Sequence, residues 1–224
     1  MAAWEDYFWP GTEVLRNRLG IRDAKTLERV EHELTAGRRV QLEQGRAPID
    51  DTFDANHLRS LHRWLTQDIY DWAGEYRTVE LAKLTSFARV DQIASCLDTA
   101  AHLVQRARWD ELDDRGFAEH AAEVYGWVNY AHPFRDVNGR SARAFMSAVA
   151  RRAGRYLDYS AVSRAVWVQR ASFSVPDLDQ ERPQHEWMVP VFAAVSRPRV
   201  HWTARELTGD RSIRRGQSGY ELGS

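Results

Sequence analysis

Apolar residues recur every three to four positions along most of this chain, and only one short stretch alternates instead. A helical period puts its apolar residues on one face of a helix and cannot serve as a strand. Leu58, Leu61, Leu65 and Ile69 form one such stripe, which predicts a helix over His57–Trp72 with Gly74 as its stop. Leu27, Val30, Glu31 and Leu34 predict another over Asp23–Thr35, closed by Gly37 and then Gly45–Pro48. Ile93, Leu97, Ala101 and Val104 predict a helix over Val90–Ala107, and Ala121, Val124 and Val128 one over Phe117–Asn129, capped by Asp113-Asp114. Ser141–Ala153, ending at Gly154, Ser160–Ser172 and Gln184–Val195 complete the helical set.

Arg77–Ala88 has a different character. Thr78, Val79 and Leu81 sit in a short, β-favouring segment, which predicts a small hairpin. The expected architecture is therefore all-α, a helical bundle with one β-hairpin. Trp9-Pro10-Gly11 is a turn that opens the ordered part. Residues 1–204 are expected to form one domain. Residues 205–224 carry Gly209, Arg211, Arg214-Arg215, Gly216 and Gly219 with almost nothing apolar, and are expected to be a mobile tail or linker.

A chain of 224 residues can bury a proper core, and nine Trp with eight each of Tyr and Phe argue against disorder. The net charge of −1 gives no electrostatic pull toward nucleic acid or an anionic membrane. Cys96 stands alone, so neither an intramolecular disulfide nor a cysteine-based zinc site can form. The first residues lack the basic flank and apolar run of a secretory signal, and nothing approaches the ~20 apolar residues that span a bilayer. The expected location is the cytoplasm, or another cell if the C-terminal stretch is a truncated linker. Gly-x-Gly-x-x-Gly, a phosphate loop with its lysine, His-x-x-x-His and Gly-x-Ser-x-Gly are all missing.

One segment concentrates chemistry. His132-Pro133-Phe134-Arg135-Asp136-Val137-Asn138-Gly139-Arg140-Ser141-Ala142-Arg143 places an imidazole, a carboxylate, an amide and three guanidiniums in a turn that feeds a helix start. A helix start offers unpaired N–H groups and a positive dipole end, which suits a polyphosphate. Arg140 and Arg143 are three apart, on one face, where both can reach phosphate oxygens. Asp136 is placed to hold a Mg²⁺ that bridges those phosphates. An imidazole ordinarily titrates near neutrality, so a histidine at position 132 is suited to take a proton from a hydroxyl. Taken singly, Asn138-Gly139 reads more readily as a turn, Asp136 as a helix cap and the arginines as a solvated face; that all three coincide on one loop is what points to a site.

Together these residues resemble the motif of the Fic family, His-x-Phe-x-Asp/Glu-Gly-Asn-Gly-Arg-x-x-Arg. The resemblance extends to Leu61-His62 and Asp68–Arg77, similar to the helix-to-flap signature of that family, and to Trp9–Gly20, similar to the start of bacterial Fic toxins. It implies a protein adenylyltransferase using ATP and Mg²⁺, with a target protein bearing a Tyr, Thr or Ser hydroxyl. His132 is then the general base, Asp136 the metal ligand and Phe134 a core anchor. Asn138 and Gly139 build the anion hole, with Val137 beside them, and Arg140 and Arg143 bind the outer phosphates. The hairpin becomes a target-docking flap that includes Thr78, Val79, Leu81, Lys83, Thr85 and Phe87. Gly139-Arg140, rather than the Lys-Arg of phosphorylating relatives, favours AMP transfer.

Two departures from the family pattern matter. Val137 stands where the family has Gly, and if that position needs positive φ a β-branched residue costs about 1–3 kcal/mol, so phosphate binding is expected to be weakened. The family's inhibitory segment, Ser/Thr-x-x-x-Glu-Gly/Asn, finds no match, since no Ser or Thr here has Glu four residues later. The resemblance then implies a toxin component restrained by a separate small helical antitoxin whose Glu reaches Arg143. Alternatives are a Fic-fold binding module weakened through Val137, or an enzyme of this family that transfers UMP or phosphocholine.

Overall fold

The computed structural model describes residues 3–81, 87–177 and 180–198. Four of its helices start where a short polar side chain caps the first turn. Asp23 Oδ1 accepts the Thr26 N–H at 2.8 Å and opens α1, Ala24–Glu43. Asp54 accepts the His57 N–H at 2.9 Å and opens α2, Ala55–Thr66. A 3-10 turn over Val90–Gln92 leads into α3, Ile93–Arg106. Asp113 caps α4, Asp114–Ala131, through the Gly116 N–H at 2.7 Å. The remaining elements are α5, Asn138–Arg152, strand β1, Arg155–Leu157, the Ser163-capped α6, Arg164–Phe173, α7, Val189–Val195, and strand β2, Ser196–Pro198. The architecture is mainly helical, as the periodicity requires.

Helix α4 is the centre of the bundle. Phe117, Ala118, Ala121, Ala122, Val124, Tyr125 and Val128 are all buried, so it is covered by α3, α5 and α7 rather than by one neighbour. A second apolar cluster joins the N-terminal segment to the loop before α5: Tyr7, Val14, Leu15, Leu27, Ile69, Tyr70 and Val137. Trp9 opens a turn there, with Thr12 N–H donating to Trp9 C=O at 3.0 Å and Gly11 at φ 72°.

Several boundaries differ from the sequence expectation: α6 starts at Arg164 rather than Ser160 and α7 at Val189 rather than Gln184, each preceded by a short 3-10 turn, Tyr159–Ala161 and His185–Met188. Helix α1 runs through Gly37 to Glu43 because its second half is tied to α2: Trp64 Nε1 donates to Arg38 C=O at 3.0 Å, and Arg38 pairs with Asp68 at 2.7 Å. Those ties offset the ~1 kcal/mol that a mid-helix glycine costs. Helix α2 stops at Thr66 rather than Trp72, and the chain then turns so that Tyr70 and Trp72 fold under the loop before α5. Helix α5 begins at Asn138, three residues before Ser141, because Val137 adopts a left-handed conformation that starts it early.

The β structure also lies elsewhere than expected. β1 and β2 pair antiparallel with Tyr156 opposite Arg197, and the periodicity had not marked either strand. In the expected hairpin, the described residues 77–81 and 87–88 hold no strand, while residues 82–86, with Lys83 and Thr85, lie outside the described residues. Phe87 N–H donates to Leu81 C=O at 3.3 Å, but the neighbouring backbone groups are bound elsewhere. Arg77 N–H goes to Pro133 C=O at 2.8 Å and Ala88 N–H to Tyr130 C=O at 2.9 Å. Among the described residues, each arm is hydrogen-bonded to the end of α4 or the loop after it.

Candidate active site

Two left-handed residues bracket the loop between α4 and α5. His132 ends α4 at φ 38°, ψ 57°, and Val137 starts α5 at φ 61°, ψ 12°. A β-branched residue in that region is strained by about 1–3 kcal/mol. The Val137 side chain is only 2 % exposed and packs in the N-terminal cluster with Tyr7, Ile69 and Tyr70. Burying a valine contributes roughly 1.5–3 kcal/mol, enough to offset the strain. The positive φ expected for a glycine is therefore present, and side-chain burial holds it.

Asn138 closes the loop on itself. Its Oδ1 accepts the Phe134 N–H at 2.9 Å and its Nδ2 donates to Phe134 C=O at 2.7 Å. The amide is thus committed to the loop backbone and shapes the helix start by holding it. Phe134, fully buried, is the core anchor that the motif implies. Below it the rings stack in sequence: Phe134 on His62 at 3.8 Å and 13°, His62 near Trp72 at 5.8 Å and 22°, Trp72 on Tyr70 at 4.2 Å and 16°.

His62, on α2, holds the loop from beneath. Its Nδ1 accepts the Gly74 N–H at 2.8 Å, which puts the proton on Nε2, and Nε2–H donates to Asp136 C=O at 3.3 Å. Burial pushes this imidazole down to about 3, against a small upward pull from the Asp136 carbonyl, so it is neutral at working pH. The Asp136 side chain is exposed, and its Oδ1 accepts the Val137 N–H at 2.6 Å. No side chain caps α5, in contrast to α1, α2, α4 and α6. The first-turn N–H groups of Asn138, Gly139 and Arg140 therefore face an open helix end with a positive dipole.

The two arginines of α5 have different surroundings. Arg140 Nη2 donates to Glu31 of α1, Arg140 Nη1 donates to Thr35 Oγ1 at 2.8 Å, and the Tyr70 hydroxyl donates to the second Glu31 oxygen. Arg143 forms no ion pair among the described residues. Its guanidinium lies 6.0 Å from the Tyr159 ring, and a Cβ added at Gly139 would sit 3.7 Å from its Nη1. Burial holds Arg143 below the usual arginine range, yet a guanidinium stays charged there. His132 sits across the loop with its ring stacked on Phe87 at 3.6 Å and 13°. Of the other expected docking residues, Thr78 meets the Tyr7 hydroxyl at 3.3 Å, Val79 packs on the N-terminal cluster, and Leu81 accepts from Phe87.

This geometry coincides with strong similarity to known proteins. The profile of the Fic/DOC family matches residues 52–150. The probable protein adenylyltransferase Fic of Escherichia coli K12 is 33 % identical over 169 residues, covering 74 % of this chain and 82 % of that protein. The chain belongs to the Fic/DOC family. The protein adenylyltransferase VbhT of Bartonella schoenbuchensis is 38 % identical over 162 residues, 71 % of this chain but only 34 % of VbhT, so the match spans about a third of that relative. Among solved structures, the N-terminal Fic domain of a putative cell filamentation protein from Bartonella quintana, with bound ADP, superposes with a TM-score of 0.76. It is 25 % identical and covers 88 % of this chain and 96 % of its own.

The fold brings His132, Asp136, Asn138, Gly139, Arg140 and Arg143 to one loop and helix start, as the Fic motif requires. Sequence reasoning assigned no part to Glu31, Thr35 or Tyr70, which hold Arg140. Glu31 and Thr35 are four apart on α1, a helical spacing visible in the sequence, but nothing local indicates that they face a residue more than a hundred positions away. In the sequence His62 and Arg77 stand out only as members of a family signature.

Proposed function

We propose that this chain is a protein adenylyltransferase, moving AMP from ATP to the hydroxyl of a Tyr, Thr or Ser side chain on a target protein. The observation that carries this reading is the uncapped start of α5, where His132, Asp136 and the guanidiniums of Arg140 and Arg143 share one loop and the first two turns of the helix. Relatives that bear the adenylyltransferase name, and a related Fic domain with bound ADP, support it.

In this reading the α5 N–H groups, Arg140 and Arg143 bind the polyphosphate and neutralise its charge. His132 accepts the proton of the target hydroxyl as the oxygen forms its bond to the α-phosphorus. The bond from that phosphorus to the bridging oxygen breaks, and pyrophosphate leaves with the electron pair. Asp136 fits Mg²⁺, a cation held by one or two carboxylates plus substrate phosphates, since its carboxylate is exposed beside the helix start. Bound there, the metal supplies charge neutralisation on the phosphates. The catalytic unit lies within residues 1–204 and works in the cytoplasm, of this cell or of another into which it is delivered; residues 205–224 lie outside the described residues.

Control comes from a separate partner. Arg143 meets no carboxylate among the described residues, and the sequence has no Ser/Thr-x-x-x-Glu. A small helical antitoxin supplying a Glu to Arg143 would compete with the terminal phosphate for one guanidinium. Incubation of the chain with α-³²P-ATP, Mg²⁺ and bacterial lysate tests the activity, with mass spectrometry of the labelled protein. Expected is label on a hydroxyl side chain, lost in His132→Ala. No label on the chain itself or on any lysate protein would instead favour the weakened binding module.

A further inference from the structure

Arg77 is 1 % exposed and lies outside the motif, yet its guanidinium connects more of the site's backbone than any residue inside it. Nε donates to His132 C=O at 2.9 Å. Nη1 donates to Val79 C=O at 2.8 Å and to Glu80 at 3.4 Å. Nη2 donates to Ala88 C=O and, at 3.4 Å, to Ala131 C=O. Its own backbone N–H donates to Pro133 C=O at 2.8 Å. Ala131 and His132 end α4, where the last carbonyls lack intrahelical donors and the dipole is negative, so a buried cation is stabilised there. Val79 and Ala88 belong to the two arms of the 77–88 segment, and Phe87, beside Ala88, stacks on the His132 ring.

A residue needed only for packing would be apolar here, since a buried charge is costly unless every donor is matched. We propose that Arg77 is a positioning residue for His132: one guanidinium fixes the backbone of His132 to both arms of the segment that carries Phe87, and so sets where the imidazole stands. The inference rests on the adenylyl-transfer reading for its kinetic consequence, though not for its structural one. Arg77 touches neither Arg140, Arg143 nor the start of α5 through any hydrogen bond, so nucleotide binding is independent of it.

The test is Arg77→Lys, which keeps the charge but loses the planar fork that reaches four carbonyls. With α-³²P-ATP and lysate, the initial labelling rate at saturating ATP is expected to fall about 10²-fold, the scale of a 1 Å misplacement. ATP affinity and binding stoichiometry stay within threefold, which a general loss of folded protein would not allow. Independently of activity, amide exchange at Arg77 and Ala88 rises about tenfold while α3 is unchanged, because the arms lose their common anchor. A labelling rate within threefold of the parent, unchanged exchange, or ATP binding lost in step with labelling overturns the proposal. Should that variant not melt cooperatively, Arg77→Ala with added methylguanidinium takes its place, and recovery of labelling by the guanidinium is expected; no recovery overturns it. A parent chain that binds ATP yet labels nothing defeats the adenylyl-transfer reading alone, and the exchange measurement still decides the role of Arg77.

Discussion

Arg140 is held by Glu31, a carboxylate from α1 that meets the first arginine of α5 inside the candidate site. The Glu31 side chain is 11 % exposed and also accepts from the Tyr70 hydroxyl, whose own ionisation burial and Glu31 push far up. Two of the donor groups of Arg140 are thus engaged before any nucleotide arrives. A phosphate oxygen must share this guanidinium with a carboxylate.

The first prediction follows from that competition. Glu31→Gln keeps the shape and a partner for Tyr70 but removes the charge. Breaking a largely buried pair leaves Arg140 less well matched, so unfolding free energy falls by about 1–3 kcal/mol. ATP binding, measured by calorimetry, tightens several-fold, because Arg140 is released to the phosphates. Weaker ATP binding would show that Glu31 serves mainly to aim Arg140.

The proposed base and the proposed metal ligand separate cleanly in their expected effects. His132→Ala should lower transfer by ~10²–10⁴-fold and leave ATP affinity nearly unchanged, since the proposed phosphate contacts lie on α5. Asp136→Ala should do the reverse in part, weakening ATP binding only when Mg²⁺ is present. Titration with and without Mg²⁺ distinguishes the two, and an unchanged Mg²⁺ dependence would reduce Asp136 to its bond with the Val137 N–H.

Val137→Gly carries a sign that the sequence reading alone left incomplete. Strain at φ 61° argues for a gain, but the side chain fills the cluster around Tyr7, Ile69 and Tyr70. The strain relieved, about 1–3 kcal/mol, nearly equals the burial lost, so global stability should change little. Phosphate affinity should stay level or rise modestly. A drop of several kcal/mol in stability would mean that packing, not backbone conformation, dominates at this position.

What could be read from the sequence was what is local in it. The motif His132–Arg143 is contiguous, so its chemistry is visible as a string, and the positive φ at 137 follows from a family glycine position. Helices with one apolar stripe, such as α3, were equally legible, whereas the stripe of α2 ran on to Ile69, past its end at Thr66. Gly37 misled because a mid-helix glycine is a breaker only when nothing holds the helix on both sides, and here Trp64 and Asp68 hold it. The hairpin expectation rested on alternation, which reports a preference for extended backbone but not which partner takes its hydrogen bonds. The roles of Glu31, His62 and Arg77 come from contacts between residues far apart in the chain, and no periodicity encodes such pairs.

Acid sensitivity is expected to originate at His62. Burial holds its imidazole at about 3, whereas in the unfolded chain it titrates near 6.5. Below about pH 6.5 the unfolded state binds a proton that the folded state refuses, so stability is lost as pH falls toward 3, at up to ~1.4 kcal/mol per pH unit. Above pH 6.5 both states are neutral, and this group contributes no slope. The affected place is specific, because protonation at Nδ1 would abolish its acceptance of the Gly74 N–H. The His62 ring would then lose its grip beneath the loop, and Asp136 with it. Urea unfolding between pH 4 and 8 measures the slope, and His62→Gln should flatten it while lowering stability at pH 8. Equal slopes in the parent and in that variant would place the acid sensitivity at other groups and leave His62 a structural partner of the loop alone.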